Sequence, residues 1–140
     1  MFVLDTNVVS ELRKAKSGKA DKNVTAWAAT VPASSLFLSV ITVLELETGV
    51  LRSELRDRHQ GNLLRTWLEN HVLPAFAGRV IPVDTVVVQR CARLQVPESR
   101  SDRDALIAAT ALVHGMTVVT RNVADFHPTQ VPVINPWDPE

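Results

Sequence analysis

Four acidic residues that lie far apart along the chain have the chemistry of a divalent-metal site. Asp5 ends a short apolar run that begins at Met1, and such a run is typical of a buried parallel strand. Ligands of open α/β sheets bind beyond the carboxyl ends of the strands, so Asp5 lies where such a fold carries out its chemistry. The other acids whose settings favour the same edge are Glu45, Asp104 and Asp125. Converging carboxylates without a plausible nucleophile indicate a divalent metal ion.

The first two acids also have an ordinary structural explanation. An aspartate after a strand is a favoured N-cap for the following helix, and Asp5 fits that description. Glu45 lies in a helical segment, where glutamates normally form a solvated face, and Glu47 is its close neighbour. Because apolar residues surround both glutamates, periodicity does not decide which of them faces inward.

The other two acids have similar alternatives. Asp104 begins a helix that is apolar almost all round, so a carboxylate there needs a metal or a partner. Ser101 and Asp104 also match the spacing of a capping box, and Asp102 competes with Asp104 for any role. Asp125 follows the fourth predicted strand, at a position where an ordinary turn residue is also expected.

The composition is typical of a globular protein and predicts one domain over residues 1–140. Apolar residues make up 46% of the chain and charged residues 21%. The 15 basic and 15 acidic residues cancel, so nucleic-acid binding would have to come from local patches. The only cysteine, Cys91, excludes an intrachain disulfide and a cysteine metal cluster. Since there is neither a signal peptide nor an apolar stretch of about 20 residues, we expect a cytoplasmic protein without a membrane span.

Short apolar runs alternate with amphipathic segments, which predicts an α/β fold. The predicted strands are residues 2–4, 36–39, 80–83, 117–120 and, at an edge, 131–134. The predicted helices are residues 8–13, 23–30, 41–53, 58–76, 85–95 and 101–114. This alternation favours a three-layer α/β/α arrangement, with helices on both faces of a parallel sheet of four to five strands. Residues 14–21 form a polar, basic loop.

Four segments carry a resemblance that extends over nearly the whole chain. They are residues 2–11 (FVLDTNVVSE), 39–46 (SVITVLEL), 104–111 (DALIAATA) and 118–126 (VVTRNVADF). In this order they resemble the PIN-domain family, in particular the VapC- and FitB-like toxins of bacterial toxin–antitoxin pairs. The first and third segments are the most specific. The resemblance implies a Rossmann-like PIN sheet.

The resemblance also implies roles for individual residues. The family's acidic quartet falls on Asp5, Glu45, Asp104 and Asp125. The resemblance thereby selects Glu45 rather than Glu47, and Asp104 rather than Asp102. The family's hydroxyl and amide helpers fall on Thr6, Asn7, Thr120 and Asn122. Arg121, beside the loop of the last acid, is the best candidate to bind the RNA backbone.

The implied activity is that of a metal-dependent endoribonuclease, the toxin of a toxin–antitoxin pair. The quartet would hold Mg²⁺ or Mn²⁺, which prefer oxygen ligands, and water would attack an RNA phosphodiester in line. The products would carry a 5′-phosphate and a 3′-hydroxyl. The implied partners are RNA, a cognate antitoxin and a second copy of the chain. An antitoxin helix is expected to bind the predicted helix pair 41–53 and 58–76. The basic loop lies outside the family motif.

Two other functions stay open on the residues alone. A phosphatase with an aspartate nucleophile, similar to the haloacid-dehalogenase superfamily, would use Asp5 but requires a second aspartate where Asn7 stands. Trapping of a phospho-aspartate at Asp5 would support it. A PIN-fold binding module would bind a partner without catalysis, and failure to cleave any RNA with Mg²⁺ or Mn²⁺ would favour that alternative.

Overall fold

The computed structural model describes residues 1–139 and contains a five-stranded sheet with helices on both faces. The strands are β1 (Phe2–Leu4), β2 (Leu36–Ser39), β3 (Val80–Ile81), β4 (Thr117–Val119) and β5 (Val133–Ile134). Their order across the sheet is β3-β2-β1-β4-β5, and every neighbouring pair is parallel. The predicted three-layer α/β/α class is confirmed, and the fifth strand lies at an edge as expected.

Helices connect and cover these strands. They are α1 (Thr6–Leu12), α2 (Lys22–Ala29), α3 (Val40–Arg56), α4 (Arg58–Trp67), α5 (Leu73–Ala75), α6 (Thr85–Leu94), α7 (Asp102–His114) and α8 (Val123–Phe126). Capping side chains start most of the longer helices, among them Asp5 for α1, Ser39 for α3 and Ser101 for α7. Gly115 ends α7 in the left-handed conformation, which glycine adopts without strain. Among residues 1–139, no helix is both long and apolar enough to cross a membrane.

Neighbouring residues of the central strands point to opposite faces of the sheet and enter two separate cores. Leu4 and Val119 belong to the core beneath α1, α2 and α3. Val3 and Val118 belong to the core beneath α7 and α8. All four side chains are fully buried. Because both faces of the strands are packed, the residue that follows β1 has a fixed position at the edge of the sheet.

Several elements differ from their predicted bounds, and for three of them the physical reason is clear. Helix α1 begins two residues earlier than predicted, at Thr6, because Asp5 caps it there. The long helix predicted after α3 is interrupted by a π-helical turn at Leu68–Val72. Strand β3 ends at Ile81, since Pro82 has no N–H to continue the ladder.

Helices α3 and α4 form a closely packed hairpin. Asp57 ends α3 and caps α4 with its carboxylate. The helices touch at Gly61, where a Cβ would lie 2.5 Å from the Cα of Glu54. The Arg65 guanidinium makes three ion pairs, and the first two of them join α4 to α3. Its partners are Glu47 (2.6 Å), Glu54 (3.1 Å) and Glu69 (3.2 Å).

Candidate metal centre

Asp5 lies at the carboxyl end of β1, and hydrogen bonds hold its carboxylate in place. Its Oδ1 accepts from the N–H of Thr6 at 2.8 Å. Its Oδ2 accepts from the Thr120 hydroxyl at 2.8 Å and from the Asn7 amide at 3.4 Å. Only 6% of the residue is exposed. Burial raises the pKa of Asp5, and the hydrogen bonds from Thr120 and Thr6 oppose that rise.

Further hydrogen bonds join the loop after β4 to the start of α1. The Thr120 hydroxyl oxygen accepts from the Asn7 amide at 3.3 Å and from the N–H of Asn122 at 3.0 Å. The Asn7 Oδ1 accepts in turn from the N–H of Arg121 at 3.3 Å. Asn7 and Thr120 therefore orient Asp5, as expected of helpers. Asn122 contributes its backbone N–H to this network.

Glu45 lies on α3 and faces the same edge of the sheet. Its Oε1 accepts a hydrogen bond from the hydroxyl of Thr6 at 2.8 Å, and its Oε2 lies 3.9 Å from the guanidinium of Arg103. Glu47 points elsewhere and is paired with Arg65 across the helical hairpin. The structure thus separates two glutamates that periodicity could not distinguish.

Asp104 lies in the first turn of α7, and the charges of the other three acids affect the pKa of its carboxyl. Its backbone N–H approaches the Ser101 hydroxyl at 3.5 Å, which is half of the expected capping box. Burial and the nearby charges of the other three acids raise the pKa of Asp104 to about 6, with burial the largest cause. Asp102 instead accepts a hydrogen bond from Gln95 at 3.0 Å.

Asp125 lies in the short helix α8 instead of the expected turn. Its side chain is exposed, yet its charge raises the pKa of both Asp5 and Asp104. Its carboxylate is therefore within electrostatic range of both groups. The charges of three of the acids predicted from sequence thus act on the fourth, Asp104, although the four come from separate elements or loops.

The chemistry of this site fits a hydrated divalent cation with oxygen ligands. Within residues 1–139, no three His, Cys, Asp or Glu side chains are close enough to hold a metal ion directly. Mg²⁺ usually keeps several of its waters, and such waters span wider gaps than direct ligation does. Arg103, at 3.9 Å from Glu45, is the only cation paired with a quartet acid in that range. The excess negative charge and the raised pKa of Asp104 are what a cation would relieve.

Two contacts near the site could not be read from sequence spacing. Arg103 faces Glu45, although the two residues lie on different helices. The Arg121 guanidinium lies 5.1 Å from the centre of the Trp137 ring, a cation–π contact. Arg121 is therefore positioned by an aromatic side chain beside the acidic site, and no local sequence signal marks Trp137 as its partner.

A groove leaves the acidic site between α1 and the α3–α4 hairpin. It contains a cavity of about 330 Å³. The lining of this cavity includes Thr6, Arg13, Glu45 and Trp67. An adjoining apolar cavity of about 150 Å³ shares Arg13 and Trp67 with it and reaches Phe76. The groove thus has an acidic end and an apolar side branch.

Comparison with known families gives a match over most of the chain. Residues 2–127 match the family model described as PIN domain. Among curated proteins, the chain is similar to VapC ribonuclease Y4jK of Sinorhizobium fredii, with 40% identity over 99% of each chain. It is also similar to Toxin FitB of Neisseria gonorrhoeae, with 37% identity over 98% of this chain and 99% of that one.

Solved structures give the same result. The structure of FitAB bound to the IR36 DNA fragment superposes with a TM-score of 0.88 at 36% identity, covering 100% of this chain and 98% of that one. FitAcB from Neisseria gonorrhoeae superposes with a TM-score of 0.87 at 37% identity, over 98% of this chain and 99% of that one. The likeness in fold therefore extends over essentially the whole chain.

Proposed function

The chain belongs to the PIN-domain family, and from that premise we propose that it is the ribonuclease toxin of a toxin–antitoxin pair. The observations that carry the proposal are the hydrogen bonds that place Asp5 and Glu45 at the carboxyl edge of the sheet. The raised pKa of Asp104, to which the charges of the other three acids contribute, supports it. Relatives named as a VapC ribonuclease and a FitB toxin support the RNA substrate and the toxin role. We also propose that the chain forms a single PIN domain acting in the cytoplasm.

We propose that Asp5 and Asp104 are the principal ligands of a divalent metal ion. Glu45 and Asp125 would complete the cluster or orient the attacking water. Mg²⁺ or Mn²⁺ is the proposed ion, because every candidate donor is an oxygen. When bound, such an ion supplies a more acidic water and stabilises negative charge on the phosphate.

The chain's own residues have distinct tasks in this proposal. Thr120 and Asn7 hold Asp5 in one orientation, and Thr6 holds Glu45 through its hydroxyl. Burial of Asp5 restricts competing water on one side of the site. Hydrolysis would proceed by in-line attack of water on an RNA phosphodiester, leaving a 5′-phosphate and a 3′-hydroxyl. Arg121, exposed and held by Trp137, would bind the RNA backbone beside the reacting phosphate.

The proposed protein partners are a cognate antitoxin and a second copy of the chain. A solved relative from Klebsiella pneumoniae is named as a toxin–antitoxin complex, which supports the antitoxin. We propose that an antitoxin helix binds the apolar cavity beside the α3–α4 hairpin, in keeping with the helix-in-groove mode. Homodimerisation would be tested by light scattering of the purified chain.

The first experiment is cleavage of a mixed tRNA and rRNA pool with Mg²⁺ or Mn²⁺, compared with EDTA. Discrete cleavage that disappears with EDTA and in Asp5→Asn is the expected result. Two pairs of variants add matched controls: Asp104→Asn against Asp102→Asn, and Glu45→Gln against Glu47→Gln. The first variant of each pair should lose cleavage activity by about 100-fold or more, since even the loss of a residue that supports a metal ligand lowers activity about 10–100-fold.

The control variants should keep activity within about 2-fold, because surface changes away from a site have small effects. Equal losses in both members of a pair would remove that acid from the proposed quartet. Cleavage that is indifferent to EDTA and to Asp5→Asn would overturn the metal mechanism. A complete lack of cleavage by a folded protein would favour the binding module.

A further inference from the structure

The basic loop, residues 14–21, has no part in the proposed metal centre but carries a local excess of positive charge. Lys14, Lys16 and Lys19 lie on it, Arg13 precedes it, and all four are exposed. Lys14 pairs with Glu11 at 3.3 Å. Within the described residues 1–139, no carboxylate lies within ion-pair distance of Arg13, Lys16 or Lys19 (4 Å). In a chain with zero net charge, such a local excess needs an explanation.

The basic loop is ordered by its own contacts. Glu11 accepts a hydrogen bond from the N–H of Asp21 at 2.9 Å, so the two ends of the loop are tied together. A short 3₁₀ turn at Ala15–Ser17 is closed by Gly18, whose φ of 73° lies in the left-handed region. The lysines therefore project from a defined backbone.

A third cavity connects the basic loop with the groove that leaves the acidic site. Its volume is about 260 Å³, and its lining is basic and aromatic. The residues that line it are Leu12, Arg13, Lys16, Trp67 and His71. Arg13 and Trp67 also line the cavity that contains Thr6 and Glu45. The Arg13 guanidinium lies 5.9 Å from the centre of the Trp67 ring, which holds it between the two cavities.

We infer that this basic and aromatic cavity, with the basic loop, is a subsite for single-stranded RNA beyond the metal centre. Lys16 and Lys19 would bind phosphates of the strand, and Arg13 and Trp67 would present flat faces to a base. The inference rests on the proposed ribonuclease function, because it places a second part of the same RNA.

The chemistry of the groove favours RNA over an acidic polypeptide at this point. Grooves that bind single strands combine cations along the backbone with aromatic or guanidinium faces on which bases stack. Both features occur here within one cavity. The groove is also continuous with the acidic site, as a strand with its scissile phosphate there would require. An acidic peptide would use the cations but would leave the half-buried Trp67 ring and the flat face of the Arg13 guanidinium without a function.

The test is RNA binding without cleavage. A fluorescein-labelled single strand of about 12 mixed nucleotides, long enough to span both sites, is titrated with the protein in EDTA, and fluorescence anisotropy is followed at several salt concentrations. The double variant Lys16→Ala/Lys19→Ala should raise Kd about 5- to 20-fold. The slope of the logarithm of the binding constant against the logarithm of the salt concentration should become shallower by about 1.4. This corresponds to about 0.7 for each phosphate that the variant no longer neutralises. The matched control is Arg90→Ala/Arg93→Ala, which removes two exposed charges from α6 on the other face of the sheet.

Each outcome has a clear meaning. A large rise in Kd for the loop variant and almost none for the α6 variant supports the subsite. Equal rises in Kd in the two variants would mean that the RNA is attracted by positive charge in general, and would overturn the proposed subsite. A glutamate polymer that binds as tightly as RNA, with the same weakening in the loop variant, would also overturn it. Because EDTA prevents metal-dependent cleavage, this result does not depend on whether the protein proves to be a nuclease.

Discussion

Of the two hydrogen bonds that lower the pKa of Asp5, the one from the Thr120 hydroxyl has the larger effect. Replacing Thr120 with valine removes that donor and leaves Asp5 buried, so its pKa should rise further. Metal affinity at neutral pH should fall about 10-fold or more, as for other residues that support metal ligands. The activity profile should also move to higher pH.

The matched control for this prediction is Thr120→Ser, which keeps the hydroxyl. It should restore most of the metal affinity measured by calorimetry and return the pH profile to its original position. Weaker affinity without any pH shift in Thr120→Val would mean that the threonine acts through packing only.

Asp104 makes the stability of the metal-free protein depend on pH. Its folded-state pKa is about 6, above the ordinary value of 3.8, so the folded state binds this proton more tightly than the unfolded chain. The resulting stabilisation is complete below about pH 4 and disappears as pH rises through about 6. Thermal unfolding in EDTA should therefore show this contribution to Tm falling between about pH 4 and about pH 7.

Divalent metal should produce the opposite trend, because it binds the ionised carboxylate. The rise in Tm caused by Mn²⁺ should be larger at about pH 7 than at about pH 5. In Asp104→Asn both trends should become weaker, since the titrating group is gone. An unchanged pH dependence in that variant would assign the effect to another group.

The α3–α4 hairpin depends on the absence of a side chain at Gly61. A Cβ there would lie 2.5 Å from the Cα of Glu54, a backbone atom that cannot move alone. Gly61→Ala should therefore lower the free energy of unfolding by about 1–3 kcal/mol, as overpacking of a tight contact does. Urea unfolding followed by circular dichroism measures the change.

Gly49 provides the matched comparison on α3. A Cβ at Gly49 would have no neighbour within 4 Å, so Gly49→Ala should be neutral or stabilise the helix by up to about 1 kcal/mol. Similar losses of stability for both alanine variants would show that the close approach at Gly61 is not what limits the hairpin.

The elements themselves are largely predictable, because their signals are local. The apolar runs that form β1, β2 and β4, and the capping residues Ser101 and Gly115, act within a few residues of the structure that they specify. The π-helical turn at Leu68–Val72 carries no such signal, since its apolar spacing also fits an α-helix. The sequence therefore predicts one long helix where the structure has two.

The positions of the candidate acids along the fold are predictable from the sequence, but the partners of those acids are not. Asp5 and Asp104 lie at a strand end and a helix start, and these positions can be read from the sequence. The contacts of Glu45 with Thr6 and of Glu47 with Arg65 join residues from different elements. Such pairings depend on tertiary packing, which is why the resemblance to a family was needed to select Glu45.

At the scale of the whole molecule, metal binding should stabilise the entire fold. The site joins residues that follow β1 and β4 with residues of α3, α7 and α8, so a bound ion stabilises the folded state alone. The gain is about 2.7 kcal/mol when the free metal is about 100 times its Kd. A Tm that rises with Mn²⁺ concentration in the native protein and stays constant in Asp5→Asn is the expected result of differential scanning fluorimetry.

The hydrogen bond from Thr120 to Asp5 joins positions 115 residues apart in the chain. During synthesis, Asp5 leaves the ribosome long before Thr120 and Asp125 have been made. The nascent chain therefore carries an incomplete set of the proposed metal ligands for most of its translation. The order of translation therefore keeps the proposed site incomplete until Asp125 has been made.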